Sequence, residues 1–340
     1  MASVDAEGVI AQPKVSVIVG AYNCEAYIAT ALESLRAQSL PTIEALVVDD
    51  CSSDGTAAAV QRFVEQDDRF TLLRNNANLG PSAARNRAMS LARGTWIAPL
   101  DADDWYDPDR LSILIGHAEQ TGSDLLADNL LVHEESTGTT KIAYPPWPTD
   151  PYGPVSASEL CSQDWPSMGV MGLGYSKPLI RRDFLVRTGL RYADDIRVGE
   201  DFDLYMRCLM AGGRLFLIKQ PLYHYTRRQG SLSKSHDTSS YRYFACVNQR
   251  LLQEAQKQVD RPLIQALTKR QVHLESHLSF MQFREALQRR DLRQSLKAFR
   301  QIPSRRYAAS RLVCSGYKRL KALTRQVKSG WMPRGDGSWT

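Results

Sequence analysis

The sequence Ile-Ala-Pro-Leu-Asp-Ala-Asp-Asp-Trp-Tyr-Asp-Pro-Asp-Arg at residues 97–110 joins an apolar run to a cluster of acids. The run predicts a buried strand that ends at Leu100, and Asp101, Asp103 and Asp104 follow at once. Three carboxylates this close repel one another, so a fold that presents them together usually offsets their charge with a cation. Hard oxygen ligands favour Mg²⁺ or Mn²⁺ shared with substrate phosphates, whereas an acidic turn that caps the next helix is the simpler alternative.

Strands and helices alternate before this cluster. Short loops between them, with right-handed crossovers, predict an α/β fold: a Rossmann-like, mostly parallel sheet flanked by helices. We predict strands at 14–20, 44–48, 71–74 and 96–100, separated by helices at 26–38, 56–66 and 81–93.

Polar residues follow three of these strands. Tyr22 and Asn23 follow the first strand, Asp49 and Asp50 the second, and residues 101–104 the fourth. Ligands of parallel sheets bind outside the carboxyl ends of the strands, so we expect one site there. The sequence has no G-x-G-x-x-G after the first strand and no G-x-x-x-x-G-K-[ST], which weighs against a dinucleotide dehydrogenase and a P-loop NTPase.

The chain continues with a predicted helix at 108–121, a strand near 124–132 and a loop-rich stretch at 134–174. Aromatic residues of this stretch could stack on a sugar ring or pack in the core. A strand at 215–219 is followed by a loop at 221–233, whose cations and hydroxyl groups suit a diphosphate.

Acids also open a predicted helix in the second half of the chain. Glu200, Asp201 and Asp203 occupy its first turn, where the helix dipole favours ionised carboxylates. Capping explains one acid of the three. A carboxylate placed there can instead accept a proton from a hydroxyl nucleophile.

The charge of the chain is unevenly distributed. Residues 241–340 hold 21 Lys and Arg against 6 Asp and Glu, whereas residues 1–240 hold 22 against 31. We predict helices at 241–258, 262–289 and 291–301, then a basic amphipathic helix at 304–328 that either lies on anionic lipid or packs on the protein. We therefore divide the chain into a tail (1–13), an α/β domain (14–240, in halves 14–104 and 105–240) and a helical basic region (241–340).

Composition suggests a cytoplasmic protein. Six cysteines are scattered without C-x-x-C spacing, as in reduced thiols. No stretch approaches 18 uninterrupted apolar residues, and residues 1–13 lack the pattern of a signal peptide. We expect neither a transmembrane helix nor a signal peptide.

The order and spacing of several motifs resemble the family 2 glycosyltransferases of the GT-A fold, over about residues 14–235. The motifs are Val-Ser-Val-Ile-Val-Gly-Ala-Tyr-Asn (15–23), Val-Val-Asp-Asp-Cys-Ser-Ser-Asp-Gly-Thr (47–56), Asn-Leu-Gly-Pro-Ser-Ala-Ala-Arg-Asn (78–86), Leu-Asp-Ala-Asp-Asp (100–104), Gly-Glu-Asp (199–201) and Tyr-His-Tyr-Thr-Arg (223–227). The resemblance implies an inverting transferase that uses a nucleotide-sugar donor and a divalent metal, Mn²⁺ or Mg²⁺.

The resemblance also implies where the donor binds. Tyr22 would stack on the base, Ala21 and Asn23 would line its pocket, and Asp50 would accept a hydrogen bond from uracil. The other residues expected to contact the nucleotide sugar are Arg85, Asp101 and Arg227.

By the same resemblance, Asp101 and Asp103 match the D-x-D motif, and Asp103 would contact the metal most directly. Asp201, with Glu200 beside it, matches the general base. His224 would meet the diphosphate or the metal. One departure is Cys51, since the family often has Gly at this position.

The function expected from these motifs is transfer of glucose or another hexose from a UDP-sugar to a lipid-linked saccharide, in exopolysaccharide or surface-polysaccharide synthesis at the inner face of the plasma membrane. Contact with anionic lipid would involve residues 303–328.

One alternative is a sugar nucleotidyltransferase, although residues 21–25 lack the cations that hold a triphosphate. Another is an inactive domain whose basic tail binds membrane or nucleic acid; the tail has no recognised nucleic-acid motif, so no nucleic acid is expected.

Overall fold

A computed structural model describes residues 12–145, 147–165, 171–228 and 238–311. Most of the predicted tail at 1–13 lies outside these residues. So do residues 229–233 of the predicted diphosphate loop and the part of the basic helix at 304–328 that follows Arg311.

The first hundred residues form the predicted alternation of strands and helices. Their strands pair in parallel, and β1, β2 and β4 are buried whereas the edge strand β3 is partly exposed. The predicted boundaries differ from the observed ones by at most two residues. The elements are β1 (Val15–Ala21), α1 (Glu25–Arg36), β2 (Ile43–Asp49), α2 (Thr56–Gln66), β3 (Phe70–Arg74), α3 (Pro81–Leu91) and β4 (Trp96–Asp101).

The described residues in the middle of the chain add six more strands to the same sheet, together with four α-helices. They are β5 (Trp105–Tyr106), α4 (Arg110–Thr121), β6 (Leu125–Glu134), β7 (Thr139–Ile142), β8 (Tyr152–Val155), α5 (Ala157–Gln163), β9 (Leu179–Arg181), α6 (Arg182–Thr188), α7 (Glu200–Met210) and β10 (Leu215–Arg227). The sheet order is β3-β2-β1-β4-β9-β6-β10-β5, with β7 on β6 and β8 on β10. The α/β fold is therefore confirmed, with β5, β7, β8 and β9 running antiparallel to their neighbours.

The stretch at 134–174 is rich in loops, as predicted, and it also contains the short elements β7, β8 and α5. One expectation about this region was wrong. The strand predicted to end at Lys219 continues to Arg227, because it pairs with β6 along its length and a register shift accommodates Pro221.

The basic region is helical as predicted, with α8 (Thr238–Gln258), α9 (Arg261–Gln288) and α10 (Leu292–Arg300). The chain forms two compact units, residues 1–270 and 271–340. The main core of the first unit includes Val247 of α8 and Leu263 of α9. In the second unit, Phe280, Ile302 and Ala308 form a separate small core. The proposed functional division at 240/241 remains a prediction.

A buried ion pair joins α4 to the centre of the sheet. Arg110 donates to Asp128 of β6 (Nη2–Oδ1 2.7 Å), and both side chains are fully buried. Arg110 also donates to the carbonyl of Lys177 (2.8 Å) and lies 4.2 Å from the ring centre of Tyr106. This arginine therefore joins three parts of the chain from within the core.

Replacing Asp128 with alanine should destabilise the protein by about 3–5 kcal/mol, because it leaves the Arg110 charge buried without its partner. Urea unfolding measures the loss. Asp183→Ala is the matched control: Asp183 also pairs with an arginine (Arg181 Nε–Oδ1 2.7 Å), but its side chain is 61% exposed, so we expect a loss below about 1 kcal/mol. Equal losses in the two variants would contradict this account.

Candidate active site

Two buried cations join the end of β4 to the start of α7. Arg85 contacts Asp101 (Nη2–Oδ1 2.5 Å) and Glu200 (Nη1–Oε1 2.6 Å). Lys177 contacts Asp101 (Nζ–Oδ2 2.7 Å) and Asp201 (Nζ–Oδ2 2.5 Å). The acids of the two sequence motifs, about one hundred residues apart, therefore lie in one charge cluster.

The backbone determines where the two cations lie. Arg85 is on the buried face of α3, which begins with Pro81 at its first position, and its guanidinium lies 5.3 Å from the ring centre of Tyr192. Lys177 is 3% exposed and has a φ of +46°. Because Arg110 holds the Lys177 carbonyl, the core fixes the backbone that carries this ammonium group.

These charges and their burial shift the pKa values of Asp101, Lys177 and Glu200. Burial alone would raise the pKa of Asp101, but the positive charges of Lys177 and Arg85 outweigh it and lower that pKa. Burial would likewise lower the pKa of Lys177, yet Asp101 and Asp201 raise it well above its usual value. For Glu200, burial is the largest effect and raises the pKa despite Arg85.

One carboxylate oxygen of Asp201 lacks a hydrogen-bond partner among the described residues. Its Oδ2 accepts the hydrogen bond from Lys177, whereas its buried Oδ1 accepts no hydrogen bond from the residues that the structure describes. Arg85 Nη1 lies 3.9 Å from this Oδ1. An unpartnered buried carboxylate oxygen has capacity for a further donor, such as a hydroxyl group.

The other two acids of the strand end have separate partners. Asp103 pairs with Arg228 (Oδ2–Nε 2.8 Å), which lies 4.7 Å from the ring centre of Tyr27. Asp104 is buried and accepts hydrogen bonds from the Tyr223 hydroxyl and the Thr226 amide, both at 2.7 Å. Burial, with the charge of Asp103, raises the pKa of Asp104 well above its usual value. Asp104 therefore holds residues 223–226 of β10 in place, while Asp103 lies nearer the surface.

The β1–α1 turn lies beside the β2–α2 turn, as expected from the strand ends. Tyr22 is half exposed, Ala21 is buried, and Asn23 Oδ1 accepts from the Ser53 amide (2.9 Å). These positions suit a base-stacking ring at the protein surface, and their roles remain predictions.

Asp50 already has three donors. It accepts hydrogen bonds from Asn75 Nδ2 (2.7 Å) and the amides of Leu79 (3.0 Å) and Gly80 (2.8 Å). A carboxylate offers about four acceptor positions. A contact with uracil, which remains a prediction, would therefore use the one position that is left.

Arg227 and His224 have partners other than the acids of the charge cluster. Arg227 pairs with Glu134 (Nη1–Oε1 2.6 Å) on the neighbouring strand. His224 shares a hydrogen bond with His133 (3.0 Å) and stacks on Trp105, and burial lowers the pKa of both imidazoles. Roles for these two residues at the diphosphate or metal remain predictions without support from their contacts.

Sequence reasoning missed Lys177, a single lysine outside the motifs, and it placed Arg228 only within the predicted diphosphate loop at 221–233. Their ion pairs with Asp101, Asp201 and Asp103 mark both residues as part of the cluster. The signal for such cations in the sequence was the excess of acids in the motifs, because buried carboxylates need positively charged partners from elsewhere in the chain.

No group of three or more His, Cys, Asp or Glu side chains that could hold a metal occurs within the described ranges. Asp101 and Asp103, the two acids of the D-x-D motif, are both partly exposed, and Asp103 pairs with a single cation, Arg228. Because Mg²⁺ often uses one or two carboxylates together with substrate phosphates, these residues fit a metal shared with a donor diphosphate.

Cys51 has a backbone conformation that favours glycine. Its φ is +65°, in the left-handed region, and it directly follows Asp50. This explains physically why glycine suits a position at which the sequence departs from the family pattern.

Replacing Cys51 with glycine should stabilise the protein by about 1 kcal/mol, because the left-handed conformation penalises a side chain. Thermal unfolding measures the change. Cys246→Gly is the matched control: it also removes an exposed cysteine, but it lies inside α8 and should cost about 1 kcal/mol. A loss of stability in Cys51→Gly would refute the proposed strain.

Residues 16–171 match the family model for Glycosyl transferase family 2. The succinoglycan biosynthesis protein ExoO of Rhizobium meliloti (strain 1021) is 36% identical over 228 residues, which are 65% of this chain and 63% of ExoO. This chain therefore aligns with less than two thirds of ExoO. The EpsE protein of Bacillus subtilis (strain 168) is 30% identical over 263 residues, which are 75% of this chain and 89% of EpsE.

Solved structures share the fold. S. aureus TarS 1-349 in complex with UDP-GlcNAc has a TM-score of 0.58 and 18% identity, over 84% of this chain and 90% of that one. The mannosyltransferase PcManGT from Pyrobaculum calidifontis, in complex with GDP-Man and Mn²⁺, has a TM-score of 0.54 and 20% identity, over 90% of this chain and 80% of that one. At these identities the likeness concerns the fold alone.

Proposed function

We propose that this chain, which belongs to the family 2 glycosyltransferases, transfers a hexose such as glucose from a UDP-sugar to a hydroxyl group of a saccharide, with inversion at the anomeric carbon. The position of Asp201 carries the proposal. Its unpartnered Oδ1 lies in the same charge cluster as Asp101 of the D-x-D motif, at the carboxyl edge of the sheet.

In this proposal Asp201 is the general base. The acceptor hydroxyl gives its proton to Asp201 Oδ1, and its oxygen attacks the anomeric carbon from the face opposite the leaving group. The bond from that carbon to the diphosphate breaks, and the nucleoside diphosphate leaves with the electron pair. Lys177 supports this role because it holds Oδ2 and so orients the other oxygen.

Charge develops on the leaving diphosphate, and cations stabilise it as it forms. Arg228, which pairs with Asp103 at the edge of the cluster, is the described cation best placed for this role. A divalent metal held by Asp103 and the donor phosphates would supply further positive charge there. The Mn²⁺ in PcManGT is consistent with a metal in this fold.

Asp201→Asn should retain donor binding and lose about 10²- to 10⁴-fold in transfer, because the amide cannot accept the proton. UDP release from UDP-glucose, with an alkyl glucoside as acceptor, measures turnover, and calorimetry with UDP measures binding. Asp183→Asn, a surface change, is the control and should match wild type. Near wild-type turnover in Asp201→Asn would remove Asp201 from the role of base.

Asp103→Asn should bind UDP with an affinity that no longer depends on Mn²⁺. In the wild type we expect chelation by EDTA to weaken UDP binding about tenfold or more, because the metal bridges the carboxylate and the phosphates. Titrations of UDP and GDP, each with Mn²⁺ and with EDTA, measure both effects. Asp109→Asn, an exposed acid on the same segment, is the control. Equal metal dependence in Asp103→Asn and wild type would place the metal elsewhere.

The similarity to ExoO supports a role in exopolysaccharide or surface-polysaccharide synthesis. In such a role the acceptor would be a lipid-linked saccharide at the inner membrane face, reached through basic residues at 303–328. No helix within the described ranges is long and apolar enough to cross a bilayer. Membrane contact, in this proposal, is peripheral.

A further inference from the structure

The segment from the end of α9 through α10 has an unusual surface. On α10, Leu292 is 70% exposed and Leu296 is 60% exposed. These leucines are four residues apart, so they lie on the same side of the helix, one turn from each other. Ser295 and Ala298 are buried, and Phe299 packs against the small core of the second unit. The helix therefore packs through these residues and leaves Leu292 and Leu296 exposed.

Three cations of α10, Arg293, Lys297 and Arg300, flank the leucines on one side of the helix. Residues 287–300 contain five Lys and Arg and a single acid, Asp291, which is engaged in capping α10 through the Gln294 amide (2.9 Å). None of the five cations forms an ion pair with another described residue. They are Arg289, Arg290, Arg293, Lys297 and Arg300.

We propose that the Leu292–Leu296 face of α10 docks on an anionic lipid surface. The two leucines would enter the boundary between headgroups and acyl chains, while the five cations contact lipid phosphates. This surface lies before the basic segment 303–328 in the sequence, and its binding requires neither a donor nor catalysis.

Other occupants fit the surface less well. Nucleic acid would use the cations and leave the leucines in water. A second copy of the chain would cover the leucines but bring two sets of five cations together, which repel each other. An anionic lipid surface would contact both the leucines and the cations.

The test uses the full-length protein and vesicles of phosphatidylcholine with 30% phosphatidylglycerol, separated by flotation. The variant Leu292→Ser/Leu296→Ser should bind about tenfold more weakly than wild type, since each leucine loses apolar burial. The variant Arg293→Gln/Lys297→Gln should bind about tenfold more weakly as well, and its binding should depend less steeply on salt concentration than that of the wild type. Both retain residues 303–340, so a loss is assigned to α10.

The control is Leu91→Ser/Val186→Ser, which removes two other exposed apolar side chains, at 50% and 69% exposure, and should bind as wild type does. Thermal unfolding checks that every variant is folded. The proposal is overturned if the wild type fails to float with anionic vesicles, if the leucine variant floats equally well, or if wild type binds pure phosphatidylcholine equally. It is also overturned if sedimentation shows a dimer that the leucine change dissociates. UDP binding by the same proteins tests the donor site separately.

Discussion

The concentration of negative charge at one edge of the sheet is the constraint on which the site depends. Asp101, Glu200 and Asp201 lie in an environment from which solvent is largely excluded, and such charges are costly without partners. Arg85 and Lys177 supply the compensation, each by contacting acids from two elements. The residues of these ion pairs come from α3, the segment before β9, the end of β4 and the start of α7. The interactions that hold the acids in place therefore also join the two halves of the sheet.

The first half of the fold could be predicted from sequence because its signals are local. Each apolar run there is long enough to be recognised, and β2 and β3 each pair in parallel with the strand before them in the chain. The second half was less predictable, since β5, β8 and β9 are only two to four residues long and exist through pairing with distant strands. Residues 215–227 likewise form one long strand because β6 lies beside them, a fact that Pro221 conceals in the sequence.

The site shows the same division between local and distant information. Acids could be proposed because they cluster in the sequence and follow strands or open a helix. Of the two buried cations, Arg85 could be proposed only through the family motif at 78–86, and Lys177 could not, since a lysine outside any motif acquires its role from the acids it meets in space. Alternation along β10 adds a further ambiguity: Tyr223 contacts Asp104, whereas the adjacent His224 contacts His133. A motif that contains both residues does not tell which of them faces the carboxylates.

The bond between Arg85 and Glu200 spans 115 residues of chain, and this separation has a consequence for synthesis on the ribosome. The strands β1 to β4 emerge first and can pair, yet Arg85 then has Asp101 as its one acidic partner from the cluster. Its remaining partners are translated more than one hundred residues later. While the first half of the chain is being made, Arg85 therefore still lacks its partners Glu200 and Asp201. Its ion pairs are complete only after α7 has left the exit tunnel.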